Sequence, residues 1–317
     1  MTTILPLKSQ ASVLILVALA LTACHSMART LNGFDVSNAS IPVSEIHKGG
    51  PPRDGIPPLD DPNYIEADKA DYIADDDRVM GVVIEGQPYA YPIGIMNYHE
   101  IVNHATDQKQ WLITYCPLCG TGMVFDGAVG ARKLTYGVSG LLYNSDLLMY
   151  DRQTESLWSQ IEGRAVSGPL KGEELELKPS RLTNWHGWTS EHPDTMVLSR
   201  NTGHRRNYDR SPYGNYEESA SLYFPVSERD SRYHPKTWTL GMTSGDQARA
   251  WPLKELKAAG RETIRDEFDG DAIIIHYDAE NRSAHITNEE GETIPSTTGF
   301  WFAWHAFHPD TSVFTAD

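Results

Sequence analysis

Apolar and polar positions alternate in short bursts along most of this chain, the two-residue period of strands with one buried face. Residues 79–84 read as a strand that turns at Glu85-Gly86-Gln87 into a second strand ending at Pro92. A short helix is expected next, with Ile95, His99 and Val102 on one face. An apolar strand over 111–115 follows, then a tight turn and another strand through Phe125. Beyond Gly130 the segments 134–138 and 147–150 alternate again, and a brief helix over 185–191 ends at His192-Pro193. The C-terminal third compresses the plan into strands over 272–277 and 283–287. The pattern predicts an α+β fold rich in short strands with a few short helices.

The two halves resemble each other. At a constant offset of 160 residues, Gly81 meets Gly241, Gln87 meets Gln247, Ala90 meets Ala250, and Tyr91-Pro92 meets Trp251-Pro252. Further on, Trp185-x-x-Trp188-x-x-x-His192-Pro193-Asp194-Thr195 matches Trp301-x-x-Trp304-x-x-x-His308-Pro309-Asp310-Thr311 at an offset of 116. The first copy thus carries about 44 more residues than the second. Two anchors in the same order imply an internally duplicated, pseudo-twofold core. The expected layout is a first repeat over 79–200 with an insert at about 130–172, a connecting segment over 201–237, and a second repeat over 238–317. The Trp pairs have helical spacing and read as core aromatics. His192 and His308, present in both copies, read as helix-end residues rather than chemistry.

The N-terminus changes the picture from fold to address. Lys8 precedes an apolar run over 11–21 that is too short to cross a bilayer, which needs about 20 residues. Leu21-Thr22-Ala23-Cys24 resembles the lipobox of bacterial lipoproteins, so residues 1–23 are expected to be a signal peptide and Cys24 a lipidated N-terminus. An acylated cysteine would tether the chain to a membrane. His25 stands where the inner-membrane retention signal is Asp, which by analogy favours the outer membrane of the cell envelope. Residues 24–78, broken by Gly49-Gly50-Pro51-Pro52, Pro57-Pro58 and Asp60-Asp61-Pro62, read as a partly ordered arm close to the anchor. The formal charge of −16 argues against nucleic acid as a partner.

Three stretches are specific enough to compare with a family: Tyr115-Cys116-Pro117-Leu118-Cys119-Gly120-Thr121-Gly122, Gly137-Val138-Ser139-Gly140-Leu141-Leu142-Tyr143-Asn144-Ser145-Asp146, and Tyr150-Asp151-Arg152-Gln153-Thr154. They resemble the DUF3179 family, exported bacterial proteins defined by sequence and without an assigned activity. The resemblance covers most of the chain after about residue 45. It implies a fold relationship and supplies no catalytic residues.

Candidate chemistry therefore rests on side chains. The chain has three cysteines. With Cys24 at the processing site, Cys116 and Cys119 form the remaining pair. A Cys-x-x-Cys turn suits thiol–disulfide exchange with a redox partner, since one thiol attacks and the other resolves. Gly120 and Gly122 oppose the helix that a thioredoxin-type site would need. The same turn resembles the knuckle of zinc ribbons, and soft thiolates suit zinc or copper. With no second knuckle, histidines are the expected co-ligands. His99 is nearest in sequence, and His276 aligns with Cys116 at the offset of 160; Met96 and Met123 are further soft donors. A structural disulfide is the third reading, although so small a loop adds little stability. Asn144, Asp146 and Asp151 lie in the insert of one copy only and form a candidate ligand cluster, with turn chemistry as the alternative. Nucleotide-binding loops, Gly-x-Ser-x-Gly elbows, His-Glu-x-x-His helices and haem-attachment motifs are missing. The leading expectation is an envelope lipoprotein that holds copper or zinc through Cys116 and Cys119; a thiol oxidoreductase and a non-catalytic envelope scaffold are the alternatives.

Overall fold

Strands account for 41% of the described residues and helices for 12%, so the fold is α+β and β-rich. The computed structural model describes residues 29–316; the signal-type segment and Cys24 lie outside the described residues. Four sheets carry the architecture, and one of them places the thiol turn. Its main path runs in the order Ser312–Val313, Gln247–Pro252, Trp238–Ser244, Thr297–Phe300, Thr121–Asp126, Gln110–Cys116, Ile101–Ala105. Thr121–Asp126 and Gln110–Cys116 are the strands read around the cysteines, and Thr298 pairs with Gly122 to join them to the C-terminal hairpin. A five-stranded sheet orders Arg181–Asn184, Arg78–Ile84, Gln87–Pro92, Met196–Leu198 and Tyr64–Glu66. A second five-stranded sheet orders Arg164–Ser167, Leu157–Ser159, Asp146–Asp151, Tyr136–Tyr143 and Ile46–Lys48. The fourth joins Thr263–Phe268, Asp271–Asp278, Ser283–Thr287 and Thr293–Ile294.

One arrangement occurs twice. In the first place Gly81 pairs with Ala90 across a hairpin, and Val197 pairs in parallel with Ala90. In the second, Gly241 pairs with Ala250 and Val313 pairs in parallel with Ala250. Helices Trp185–Glu191 and Trp301–Phe307 each lay a tryptophan flat on the glycine of their hairpin. A Cβ on Gly81 would sit 2.2 Å from the Trp188 ring, and one on Gly241 would sit 2.2 Å from the Trp304 ring. Trp188 Nε1 donates to Thr195 Oγ1 at 2.9 Å, and Trp304 Nε1 to Thr311 Oγ1 at 3.0 Å. His192 and His308 follow at the helix C-caps and lie against the same indoles, at 4.1 and 4.3 Å between ring centroids. Glycine is required at both hairpin positions because the aromatic face occupies the space a side chain would take.

The segment read as an arm contributes to the core from Phe34 onward. Phe34, Val36 and Ile46 are buried, Ile46–Lys48 pairs with Tyr136–Tyr143, and Tyr64–Glu66 pairs with Met196–Leu198. The helix expected to carry Ile95, His99 and Val102 on one face is shorter than the pattern suggested. It spans Ile93–Met96, and Val102 belongs to strand Ile101–Ala105. The chain reverses at Glu100, whose φ of +59° ends the helical turn and starts the strand.

Candidate functional site

Every residue of strand Gln110–Cys116 after Gln110 is buried, which puts the thiol turn inside the protein. Cys116 pairs with Thr121 across the hairpin, and Cys119 N donates to Cys116 O at 3.2 Å. Gly120, at φ +65°, makes the bend beneath the rings of Phe300 and Trp238. Phe300 N then donates to Cys119 O at 2.8 Å, locking the turn to the neighbouring strand. The cysteines are free thiols, 2% and 0% exposed.

A second hairpin approaches this turn. Strands Tyr136–Tyr143 and Asp146–Asp151 are joined by Asn144 and Ser145, both with positive φ (+50° and +65°). That is the two-residue connection whose twist matches the strands, and Asn is among the residues that tolerate it. Asn144 anchors the hairpin tip. Its Oδ1 accepts from Ser227 N and Ser227 Oγ at 2.8 and 2.9 Å, and its Nδ2 donates to Ala306 O at 3.3 Å. The carbonyl of Ser145 accepts from both thiols, Cys119 Sγ at 3.4 Å and Cys116 Sγ at 3.8 Å.

Asp146 completes the cluster. One ligand atom from each of Cys116, Cys119 and Asp146 lies within 4.8 Å of the others. Asp146 Oδ2 accepts from Ile161 N at 3.1 Å, while Oδ1 is buried and has no hydrogen-bond partner. Such an orphaned carboxylate oxygen costs free energy unless something positive or protic meets it.

Burial sets the protonation of the group. It pushes Asp146 up to about 7, against the opposing hydrogen bonds from Ile161 and Leu147. It pushes both thiols up, Cys119 well above its ordinary value. Glu100 is driven to about 8 by burial, resisted by its hydrogen bond from Tyr213 and assisted by the charge of Asp146. Tyr213 Oη donates to Glu100 Oε1 at 3.3 Å. Lys236 is 4% exposed and burial lowers it to about 8, opposed by Cys119. Its Nζ donates to Ser219 O and Ser221 O at 3.1 and 3.0 Å and lies 3.6 Å from the Tyr216 ring centroid. The cluster is therefore largely protonated near neutrality.

The histidines expected as co-ligands sit elsewhere. His99 uses both ring nitrogens, Nδ1 at 2.8 Å from Pro57 O and Nε2 at 2.7 Å from Tyr208 Oη. The reversal at Glu100 turns His99 away and brings Glu100 to the side of the cysteines, with Tyr115 N donating to Glu100 O at 2.8 Å. His276 belongs to the four-stranded sheet, where it stacks on His285 at 4.7 Å and meets Thr287 Oγ1 at 3.0 Å. Alignment by offset joins it to Cys116 in sequence only; the two strands lie in different sheets. Met123 shares the thiols' core cluster and Met96 lies in another.

Asn144, Asp146 and Asp151 separate into three roles. Asp151 accepts from Thr154 N, Thr154 Oγ1 and Trp158 Nε1 at 2.6, 2.8 and 3.0 Å, which fixes a turn at the far end of the strand from Asp146. Sequence reasoning missed Lys236 and Tyr213, which fall in the segment read as a connector. A signal for Asp146 was present in the two-residue turn that its hairpin requires.

A profile described as "Protein of unknown function (DUF3179)" matches residues 53–311. The chain belongs to this family. That span contains Cys116, Cys119, Asp146, Glu100 and Lys236, so the whole cluster lies inside the DUF3179 region. No curated protein and no solved structure matches the chain. Among the described residues, no helix is long and apolar enough to cross a membrane.

Proposed function

We propose that this DUF3179 protein binds a soft or borderline metal ion, zinc or copper, through Cys116, Cys119 and Asp146. The observation that carries the reading is the buried, unpartnered Oδ1 of Asp146 beside two free thiols. Two thiolates and a carboxylate around a dication leave one net negative charge, and Lys236 next to Cys119 offsets it. The oxygen donor favours zinc, which accepts sulfur and carboxylate together, over Cu(I), which prefers soft ligands alone. The role that fits is metal handling in the cell envelope, with Cys24 as the lipid attachment point suggested by its lipobox-like setting. The two hairpin–helix units are read as copies of one module, supported by matching registers at the offsets of 160 and 116.

The test is metal analysis of protein purified under reducing conditions. About one equivalent of zinc is expected, falling in Cys116→Ser, Cys119→Ser and Asp146→Asn. Less than roughly a tenth of an equivalent, unchanged by added zinc or Cu(I), rules the reading out.

One observation favours a second reading, a thiol–disulfide oxidoreductase. A buried thiol needs a proton acceptor, and Asp146 stands against both sulfurs. On this reading Cys119→Ser traps a mixed disulfide through Cys116. A pair that fails to equilibrate with a glutathione buffer excludes it.

A further inference from the structure

A cavity of about 580 Å³ is lined in part by the thiol turn itself. Its floor includes Leu118, which stands between the two cysteines, Leu147, which follows Asp146, and Glu100. Ile56 of the N-terminal segment and the exposed Tyr223 also line it. The volume falls in the range of pockets that enclose small ligands, roughly 300–1,000 Å³. Apolar side chains dominate the lining, which leaves a few polar groups to set what is recognised.

Tyrosines aside, two of the lining residues are ionisable: Glu100, which burial keeps protonated near neutrality, and Arg206. Glu100 is deep, 7% exposed, and its carboxyl group is engaged by the Tyr213 hydroxyl. Arg206 is exposed. Its guanidinium donates to the Arg205 carbonyl at 3.4 Å and forms no ion pair among the described residues. The nearby Arg200, by contrast, is held by Asp209 at 2.8 Å. On a chain of formal charge −16, an unpaired guanidinium thus lines an otherwise mostly apolar cavity. Its planar donors match a carboxylate.

We propose that this cavity binds an apolar monocarboxylate, its carboxylate against Arg206 and its hydrocarbon body over Leu118. A dicarboxylate is disfavoured because its second carboxylate would be buried in the apolar lining without a cation to meet it. The proposal extends beyond metal binding and does not require it. A bound acid would nonetheless rest on the residue between the two cysteines, so occupancy bears on the thiol turn.

The experiment is calorimetric titration of the purified chain with dodecanoate and with 2-naphthoate, each below any micellar concentration, and with dodecanol as the uncharged control. One-to-one binding of both acids is expected with Kd of about 100 μM or tighter. Arg206→Glu, a surface change, is expected to weaken dodecanoate at least about tenfold and to leave dodecanol within about twofold. Ile56→Trp, which fills the cavity, is expected to weaken all three. The Cys116→Ser/Cys119→Ser double variant is expected to bind dodecanoate as before, which keeps this result separate from any result on metal. Absence of saturable binding, equal losses for acid and alcohol in Arg206→Glu, or full binding by Ile56→Trp would each overturn the proposal.

Discussion

Replacing Asp146 with Asn should reverse the sign of its effect on stability between acid and alkaline pH. The Asp146 carboxyl titrates near 3.8 in the unfolded chain and at about 7 in the fold, because burial penalises its charge. Below pH 4 both states hold the proton and the group is neutral in the balance. Between about pH 4 and 7 the fold keeps a proton that the unfolded chain has lost, so stability falls as pH rises. Above about 7 both are ionised and the penalty stays constant. At about 1.4 kcal/mol for each tenfold change, the metal-free fold is about 4 kcal/mol less stable at pH 8 than at pH 4 on account of this one group. The amide of Asp146→Asn carries no such proton. Its nitrogen does need an acceptor in a buried site, a cost of about 1–3 kcal/mol that does not vary with pH. The variant should therefore be less stable than the parent by about 1–3 kcal/mol at pH 4, and more stable by a similar margin at pH 8. Glu100 is raised in part by the charge of Asp146, so its own penalty eases in the variant and adds to the gain at alkaline pH. Urea unfolding with chelator and reductant present, at both pH values, measures the gap. If the gap moves by less than about 1 kcal/mol, Asp146 is not a buried acid held neutral by the fold, and the argument fails. Zinc adds a second check: at a hundred times its Kd it should stabilise the parent by about 2.7 kcal/mol and the variant hardly at all.

The paired tryptophans offer an independent test of the fold. Gly241→Ala places a methyl group 2.2 Å from the Trp304 ring and should destabilise by about 1–3 kcal/mol. Gly81→Ala should match it against Trp188, and thermal unfolding that differs by no more than about a degree from the parent in both would contradict the packing described.

Much of the strand plan was legible in the sequence because it depends on local chemistry. The period-two pattern around Val79 and Val124, the turn at Glu85-Gly86-Gln87 and the Trp185–Glu191 helix follow from side-chain alternation and turn residues. The Cys116–Cys119 pair was equally legible, since cysteine is scarce and its spacing is informative. Its surroundings were not. Asp146 lies 27 positions from Cys119 and Lys236 lies 117, and no pattern of period two or 3.6 reaches across such gaps. The reversal at Glu100, next to His99, left the imidazole bonded to Pro57 and Tyr208 rather than to the sulfurs. Pairing of Thr298 with Gly122, and the hairpin tip held by Asn144, then brought three separate stretches to one point. Local composition determined which elements this chain makes and where its thiols sit along them. Which charged groups meet those thiols was decided by sheet order and by burial, because both depend on contacts between residues far apart in the chain.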